Sequence, residues 1–334
     1  MIRRRNLIGV ALIAALALAG CDGRSRREAA APAAKDSSMI DAPAAPTRTG
    51  YAETNGARIY YQVHGDLNSG KTPLLVLHGS YMSAESMAPL VARFAATRPV
   101  IAISQRGHGR TGDVAGGITY ELLADDAAGV LEALSVEAAD VLGYSLGGNA
   151  AILMALRHPE RVGKQVIVAG TYRRDGYYPV VLQAMEKITP EFFAGGPMER
   201  EYKRLSPTPD AFATLVEELK ALDASPHNWP EDRIRAIKGK TMVIIGDADG
   251  VRLEHAVELF KLRGGGDEKA AAQGFMTEAP RARLAILPGT SHIGIMAEAE
   301  LIARLVTPFL DDAKPVMPPG FFDAPGEKQG GTKP

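Results

Sequence analysis

Ser145 stands in the run Gly143-Tyr144-Ser145-Leu146-Gly147, and residue types of this kind suit nucleophilic chemistry. A serine hydroxyl attacks a carbonyl at neutral pH only when a base takes its proton during the attack. A histidine for that task ends the run Leu287-Pro288-Gly289-Thr290-Ser291-His292, and two carboxylates stand in Gly246-Asp247-Ala248-Asp249. A serine, a base and an acid that orients the base together perform acyl transfer, with the histidine returning the proton to the leaving group. The glycines two residues to either side of Ser145 suit a turn so tight that its flanks must be small, which holds the hydroxyl clear of the strand before it.

These groups need elements that bring them to one place. Short apolar runs at 74–77, 100–103, 140–142, 165–169, 242–245 and 284–287 have the length and composition of strands buried on both faces. Helical patterns separate them. One begins near Ser83 with Met87, Leu90, Val91 and Phe94 on one side, one runs from Thr119 to Leu134, and one covers 146–157 directly after Ser145. A hairpin precedes them all, with Asn55-Gly56 as its turn and alternation over 58–63. Strands alternating with helices imply a mainly parallel sheet flanked by helices, with functional groups at the carboxyl ends of its strands. Ser145, the Asp247/Asp249 pair and His292 each follow one of the apolar runs. Between 171 and 240 the alternation gives way to a helical stretch bearing Tyr172, Tyr177, Tyr178, Phe192, Phe193 and Trp229, which reads as a small helical cap.

On these motifs, residues 50–312 resemble the α/β-hydrolase fold family, whose chain order of nucleophile, acid and base is met by Ser145, Asp249 and His292. The resemblance favours Asp249 as the acid, with Asp247 as its rival and Asp175 a weaker one. It also implies that the backbone N–H groups of Ser80, after His78-Gly79, and of Leu146 bind the oxyanion. Arg106-Gly107-His108-Gly109 is similar to the family's Arg-Gly-x-Gly loop, but Ser104 stands where the family often has Asp. Tyr81, Tyr144 and Tyr172 each adjoin one of these loops and are candidates for the substrate pocket.

Other residues read as structural. His64, His158, His227 and His255 show no metal-ligand spacing and are expected on the surface or in packing, while His78 and His108 shape their loops. Asp125 and Asp126 are expected on a solvated helix face. Gly264-Gly265-Gly266 lacks the following Lys-Ser/Thr of a phosphate loop. No metal and no organic cofactor is implied.

The chain has 334 residues, 46% hydrophobic and 23% charged, with a formal net charge of -1. That charge gives no electrostatic footprint for a polyanion, so nucleic acid is not an expected partner. Arg3, Arg4 and Arg5 precede an apolar run over 7–19 that is short for a membrane span, the pattern of a signal peptide over 1–20. Its end, Leu18-Ala19-Gly20-Cys21, resembles the lipobox of bacterial lipoproteins, which implies acylation of Cys21 and an exported chain anchored to a lipid bilayer, facing the periplasm or the cell surface. Cys21 is the only cysteine, so an internal disulfide is excluded. The alternative is an ordinary secretory leader with an incidental cysteine. Residues 21–49 and 313–334 are rich in small residues, Pro and charge, and read as a flexible linker and a disordered tail.

The function these features imply is hydrolysis of a small or medium carboxylic ester through an acyl-enzyme. Lactones, amides and the C–C bond of diketones are open to the same acyl chemistry. Two readings of another kind are a tethered binding protein that retains the fold without turnover, and a cofactor-independent oxidase or lyase in which Ser145 is dispensable.

Overall fold

The computed structural model describes residues 45–316. The expected signal peptide, Cys21, nearly all of the expected linker and most of the expected tail lie outside the described residues.

Arg48–Thr54 (β1) and Ala57–His64 (β2) form the expected hairpin, starting two residues ahead of the expected body. Asn55 and Gly56 make its turn at φ 46° and 72°, which an asparagine and a glycine tolerate best. The remaining strands are Leu74–Leu77 (β3), Val100–Ser104 (β4), Ala139–Tyr144 (β5), Val162–Val168 (β6), Thr241–Ala248 (β7) and Ala282–Ser291 (β8). All pair into one eight-stranded sheet in the order β1-β2-β4-β3-β5-β6-β7-β8. β1 and β2 are antiparallel to their neighbours, and from β4 to β8 every pairing is parallel.

The parallel strands are apolar without alternation because helices cover both faces. Ala88–Ala95 (α1) and Ala299–Leu310 (α10) pack with Leu74, Val76, Val100 and Leu142 on one face. Tyr120–Ala133 (α2) and Leu146–Arg157 (α3) pack with Leu75, Leu77, Ile101 and Val141 on the other. Thr119 caps α2 by accepting the N–H of Leu122 on its hydroxyl.

The cap consists of Pro179–Met185 (α4), Pro197–Leu205 (α5), Phe212–Ala224 (α6) and Glu231–Ala236 (α7), with short 3-10 turns between them. Its Phe193, Tyr202, Phe212 and Leu219 are buried in the same apolar cluster as α2 and α3, so these aromatics are cap core. The return from the cap to β7 is held by Arg263, at the end of Leu253–Leu262 (α8). Its guanidinium is 1% exposed and donates to the carbonyls of Ile234, Ile237 and Gly239. Glu268–Gln273 (α9) follows in the excursion before β8. Among the described residues no helix is long and apolar enough to cross a membrane.

One expectation of a solvated face is corrected. Asp126 is buried beneath α2 and takes a two-pronged contact from the equally buried Arg106, at 2.8 Å from Nε and 3.1 Å from Nη2. Arg106 also donates to the carbonyl of Asn55, and the Asn55 amide donates to Asp126, so the pair fastens the β1–β2 turn to the loop after β4. The physical reason is that a buried guanidinium needs a counter-charge, and α2 presents one. Asp125, one residue away, pairs at the surface with Arg157 and His158.

Candidate active site

Ser145 lies between the end of β5 and the start of α3 at φ 54° and ψ −117°, a conformation that costs a residue with a Cβ. A Cβ at Gly143 would collide with the carbonyl oxygen of Gly147, and one at Gly147 with that of Leu77. The turn therefore excludes larger residues at both positions, and the seryl hydroxyl stands partly exposed above the sheet.

Its Oγ is 2.9 Å from His292 Nε2. His292 Nδ1 in turn is 2.9 Å from Asp249 Oδ1, which also accepts the N–H of Val251 at 2.9 Å. A carboxylate only accepts, so the proton of the neutral ring sits on Nδ1 and the lone pair of Nε2 faces the serine hydroxyl. The Asp249 side chain has no solvent exposure, whereas His292 keeps 28% of its own. The acid is thus shielded and the base remains reachable.

The rival carboxylates lie elsewhere. Asp247 is exposed and accepts the N–H groups of Gly289 and Thr290 at 2.9 and 3.1 Å. Between Gly246 and Ala248 the β7–β8 register shifts, and Asp247 fills the widened step. This is why β8 continues to Ser291 where only 284–287 had the pattern of a strand. Asp175 is exposed and pairs with Arg173 at 2.8 Å.

Two of the three tyrosines expected at the pocket are corrected. Tyr144 is 2% exposed and stands behind the base, its hydroxyl donating to the His292 carbonyl at 2.8 Å and its ring 5.3 Å from the imidazole. The same ring abuts the backbone of Gly79, where a Cβ would come within 2.9 Å of it, so Tyr144 joins the His78-Gly79 loop to the loop of His292. Tyr172 has no accessible surface and stacks on His255 at 4.6 Å, because the backbone beyond β6 turns that side chain into the packing against α8. Tyr81 remains partly exposed, at φ 63° with its ring 4.5 Å from Phe193.

The loops after β3 and β4 are bound through buried histidines. His78 Nε2 accepts the N–H of Gln105 at 3.0 Å, its Nδ1 donates to Gly79 at 2.8 Å, and its ring meets that of His108 edge-on at 5.0 Å. Burial holds both rings neutral, lowering the pKa of His108 to about 4. Ser104 places its hydroxyl under the N–H of Ala84 at 3.2 Å, and Gly109 packs so closely on it that a Cβ would approach that oxygen to 2.8 Å. A small residue at 104 thus fits the close approach of this loop. Leu146 opens α3, where the first N–H groups have no acceptor within the helix.

Asn149, beside the serine turn, is a position the sequence reading does not single out. One turn after Ser145, it accepts the N–H of Thr171 at 2.6 Å and donates to the Tyr120 hydroxyl at 3.1 Å. A lone amide in the otherwise small and apolar run 146–156 was its signal.

A strained seryl turn with a base and an acid delivered from adjacent strand ends, on a parallel sheet covered on both faces, is the arrangement of an α/β-hydrolase. The sequence pattern of the alpha/beta hydrolase family matches residues 74–305, and the chain belongs to that family. It is 34% identical over 157 residues to a protein of Azorhizobium caulinodans named as a carbamate hydrolase, RutD, covering 47% of this chain and 56% of that one. It is 31% identical over 219 residues to the 2-hydroxy-6-oxononadienedioate/2-hydroxy-6-oxononatrienedioate hydrolase of Paraburkholderia phymatum, covering 58% and 75%. The chain spans about half the length of the first curated relatives it matches. Among solved structures, the enol-lactonase of Burkholderia xenovorans shares the fold at a TM-score of 0.58 and 21% identity, over 78% of this chain and 99% of that one.

Proposed function

We propose that this hydrolase cleaves a small or medium carboxylic ester through an acyl-enzyme on Ser145. The observation that carries the reading is the unbroken contact from Ser145 Oγ through His292 to Asp249, at 2.9 Å in both steps. Ser145 Oγ adds to the ester carbonyl as His292 Nε2 takes its proton, and the carbonyl electron pair moves onto oxygen. The N–H groups of Ser80 and Leu146 receive that oxyanion. Asp249 stabilises the imidazolium, which then gives its proton to the departing alkoxide. Water repeats the sequence on the acyl-enzyme, releasing the acid and restoring Ser145. Tyr81 is the remaining candidate from the expected pocket residues.

The relatives named as a carbamate hydrolase and as a 2-hydroxy-6-oxononadienedioate/2-hydroxy-6-oxononatrienedioate hydrolase support a second reading, in which the same serine accepts an acyl group from another leaving group. Initial rates on p-nitrophenyl esters, a lactone and a carbamate, with Ser145→Ala beside the parent, test both. The expected result is ester turnover that falls at least about 10³-fold in the variant. Turnover that survives in Ser145→Ala sinks the acyl-enzyme, and a folded protein with no turnover on any of them favours the binding-protein reading.

We further infer that the chain is exported and anchored through acylated Cys21. The support is the basic, apolar and Leu18-Ala19-Gly20-Cys21 sequence at its start. Metabolic labelling with an alkynyl fatty acid, absent in Cys21→Ser, checks it.

A further inference from the structure

The loop after β3, which carries Ser80, holds a tyrosine in a backbone conformation that suits glycine. Gly79-Ser80-Tyr81-Met82 is a tight turn, closed by the N–H of Met82 on the carbonyl of Gly79 at 3.3 Å. The same carbonyl accepts His78 Nδ1 at 2.8 Å, which fixes that end of the turn. Tyr81 is the third residue of the turn and stands at φ 63°. A side chain larger than hydrogen crowds its own backbone there, so turns of this kind usually take glycine or asparagine at that place. A bulky residue keeps such a conformation only where its surroundings oppose the strain.

The opposing contact comes from the cap. The Tyr81 ring lies 4.5 Å from that of Phe193, which ends the 3-10 turn Pro190–Phe193 between α4 and α5. Phe193 is buried and is itself fixed by Phe192 at 5.2 Å and Phe212 at 5.8 Å, both edge-on. On the other side of the loop the Tyr144 ring abuts Gly79, so the turn is gripped between the support of His292 and the core of the cap. Rotation of Tyr81 toward negative φ, the relaxed state of any residue with a Cβ, swings Met82 away from Gly79 and opens the turn. The N–H of Ser80 belongs to the first peptide unit of that turn. An oxyanion donor acts only when its direction is fixed in advance, and an open turn loses that direction.

We propose that Tyr81 is a positioning residue that couples the cap to the oxyanion turn. Its ring, seated on Phe193, keeps the strained turn closed, so the Ser80 N–H is aimed at the oxyanion only while the cap is seated on the loop. This rests on the acyl-enzyme reading, in which Ser80 and Leu146 receive the oxyanion. A glycine at 81 makes the same turn without help from the cap. The tyrosine therefore makes the turn conditional on the contact with Phe193.

The test is a double-mutant cycle on p-nitrophenyl acetate hydrolysis, with kcat and KM read separately and thermal unfolding run alongside. Tyr81→Ala keeps the strain and loses the ring, and is expected to lower kcat about tenfold or more with little change in KM. Tyr81→Gly loses the ring and the strain together and should regain most of that loss. Phe193→Ala should lower kcat about tenfold in the parent but by less than about twofold on the Tyr81→Gly background. Equal kcat in Tyr81→Ala and Tyr81→Gly overturns the proposal, since a ring that merely packs or lines a pocket is lost alike in both. The same factor for Phe193→Ala on both backgrounds, or losses confined to KM, overturns it too. The comparison at position 81 leaves the cap core untouched and decides the matter even if Phe193→Ala unfolds. Turnover that survives Ser145→Ala would instead overturn the acyl-enzyme reading on which the proposal stands.

Discussion

Asp247 and Asp249 stand two residues apart on the same strand end, and replacing each by asparagine separates their tasks. Asp249 Oδ1 accepts the proton-bearing Nδ1 of His292 at 2.9 Å. An asparagine amide there can turn its NH2 toward Nδ1, which then keeps its lone pair and leaves the hydrogen on Nε2, facing Ser145. The base is blocked, and kcat is expected to fall about 10⁴-fold with little change in KM. Asp247 instead accepts two backbone N–H groups, at 2.9 and 3.1 Å, with separate oxygens. Asparagine keeps one acceptor, so Asp247→Asn forfeits one hydrogen bond at an exposed site, about 1 kcal/mol. Even if all of it reached the transition state, kcat would fall only about fivefold. The two variants should therefore differ by roughly 10³-fold. Stopped-flow acylation with p-nitrophenyl acetate, beside urea unfolding of both variants, measures the difference. Equal losses in the two, or the greater loss in Asp247→Asn, would refute the assignment of the acid.

Three further outcomes follow from neighbouring contacts. Asp126→Ala strands the 1%-exposed Arg106 without its counter-charge and is expected to cost about 3–5 kcal/mol in urea unfolding, whereas Arg106→Met combined with Asp126→Leu recovers most of it. Tyr144→Phe loses the 2.8 Å bond to the His292 carbonyl but keeps the ring, so kcat should fall about fivefold to tenfold while thermal unfolding shifts by only a few degrees. Asp223 in the folded chain is raised from 3.8 to about 7 and holds its proton more tightly than the unfolded chain does. Its contribution is fully present below pH ~4 and is lost as pH rises through about 7, roughly 4 kcal/mol at full strength and on the order of 2 kcal/mol after discounting for solvent contact. Asp223→Asn should accordingly gain about that much stability on the parent between pH 5 and pH 8 in chemical denaturation, and an advantage that shrinks with pH would contradict the sign.

The sheet and the serine turn were legible because their causes are local. Strands buried on both faces must be apolar without alternation, and the glycines at 143 and 147 are demanded by backbone that would strike any Cβ. The order of Ser145, Asp249 and His292 along the chain was visible for the same reason, each following an apolar run. What escaped were contacts made across the fold. Nothing around Asp126 announces that Arg106 will arrive from the loop after β4, and charge on a helix is ordinarily solvated. Tyr144 and Tyr172 follow strand ends at the loops expected to carry the site, but the side to which each ring turns is set by packing against His292 and His255. The role of Asp247 depends on a register shift between two strands forty residues apart, which no pattern within either strand encodes.

The central claim is that Ser145 is an activated nucleophile, and covalent labelling tests it most directly. The protein is treated with an alkyl fluorophosphonate, digested and analysed by mass spectrometry, with Ser145→Ala and His292→Ala carried alongside. A single adduct on Ser145 is expected, absent in Ser145→Ala and formed at least about 10³-fold more slowly in His292→Ala. A folded protein that takes no label, or one labelled on Ser145 at the same rate without His292, would contradict it.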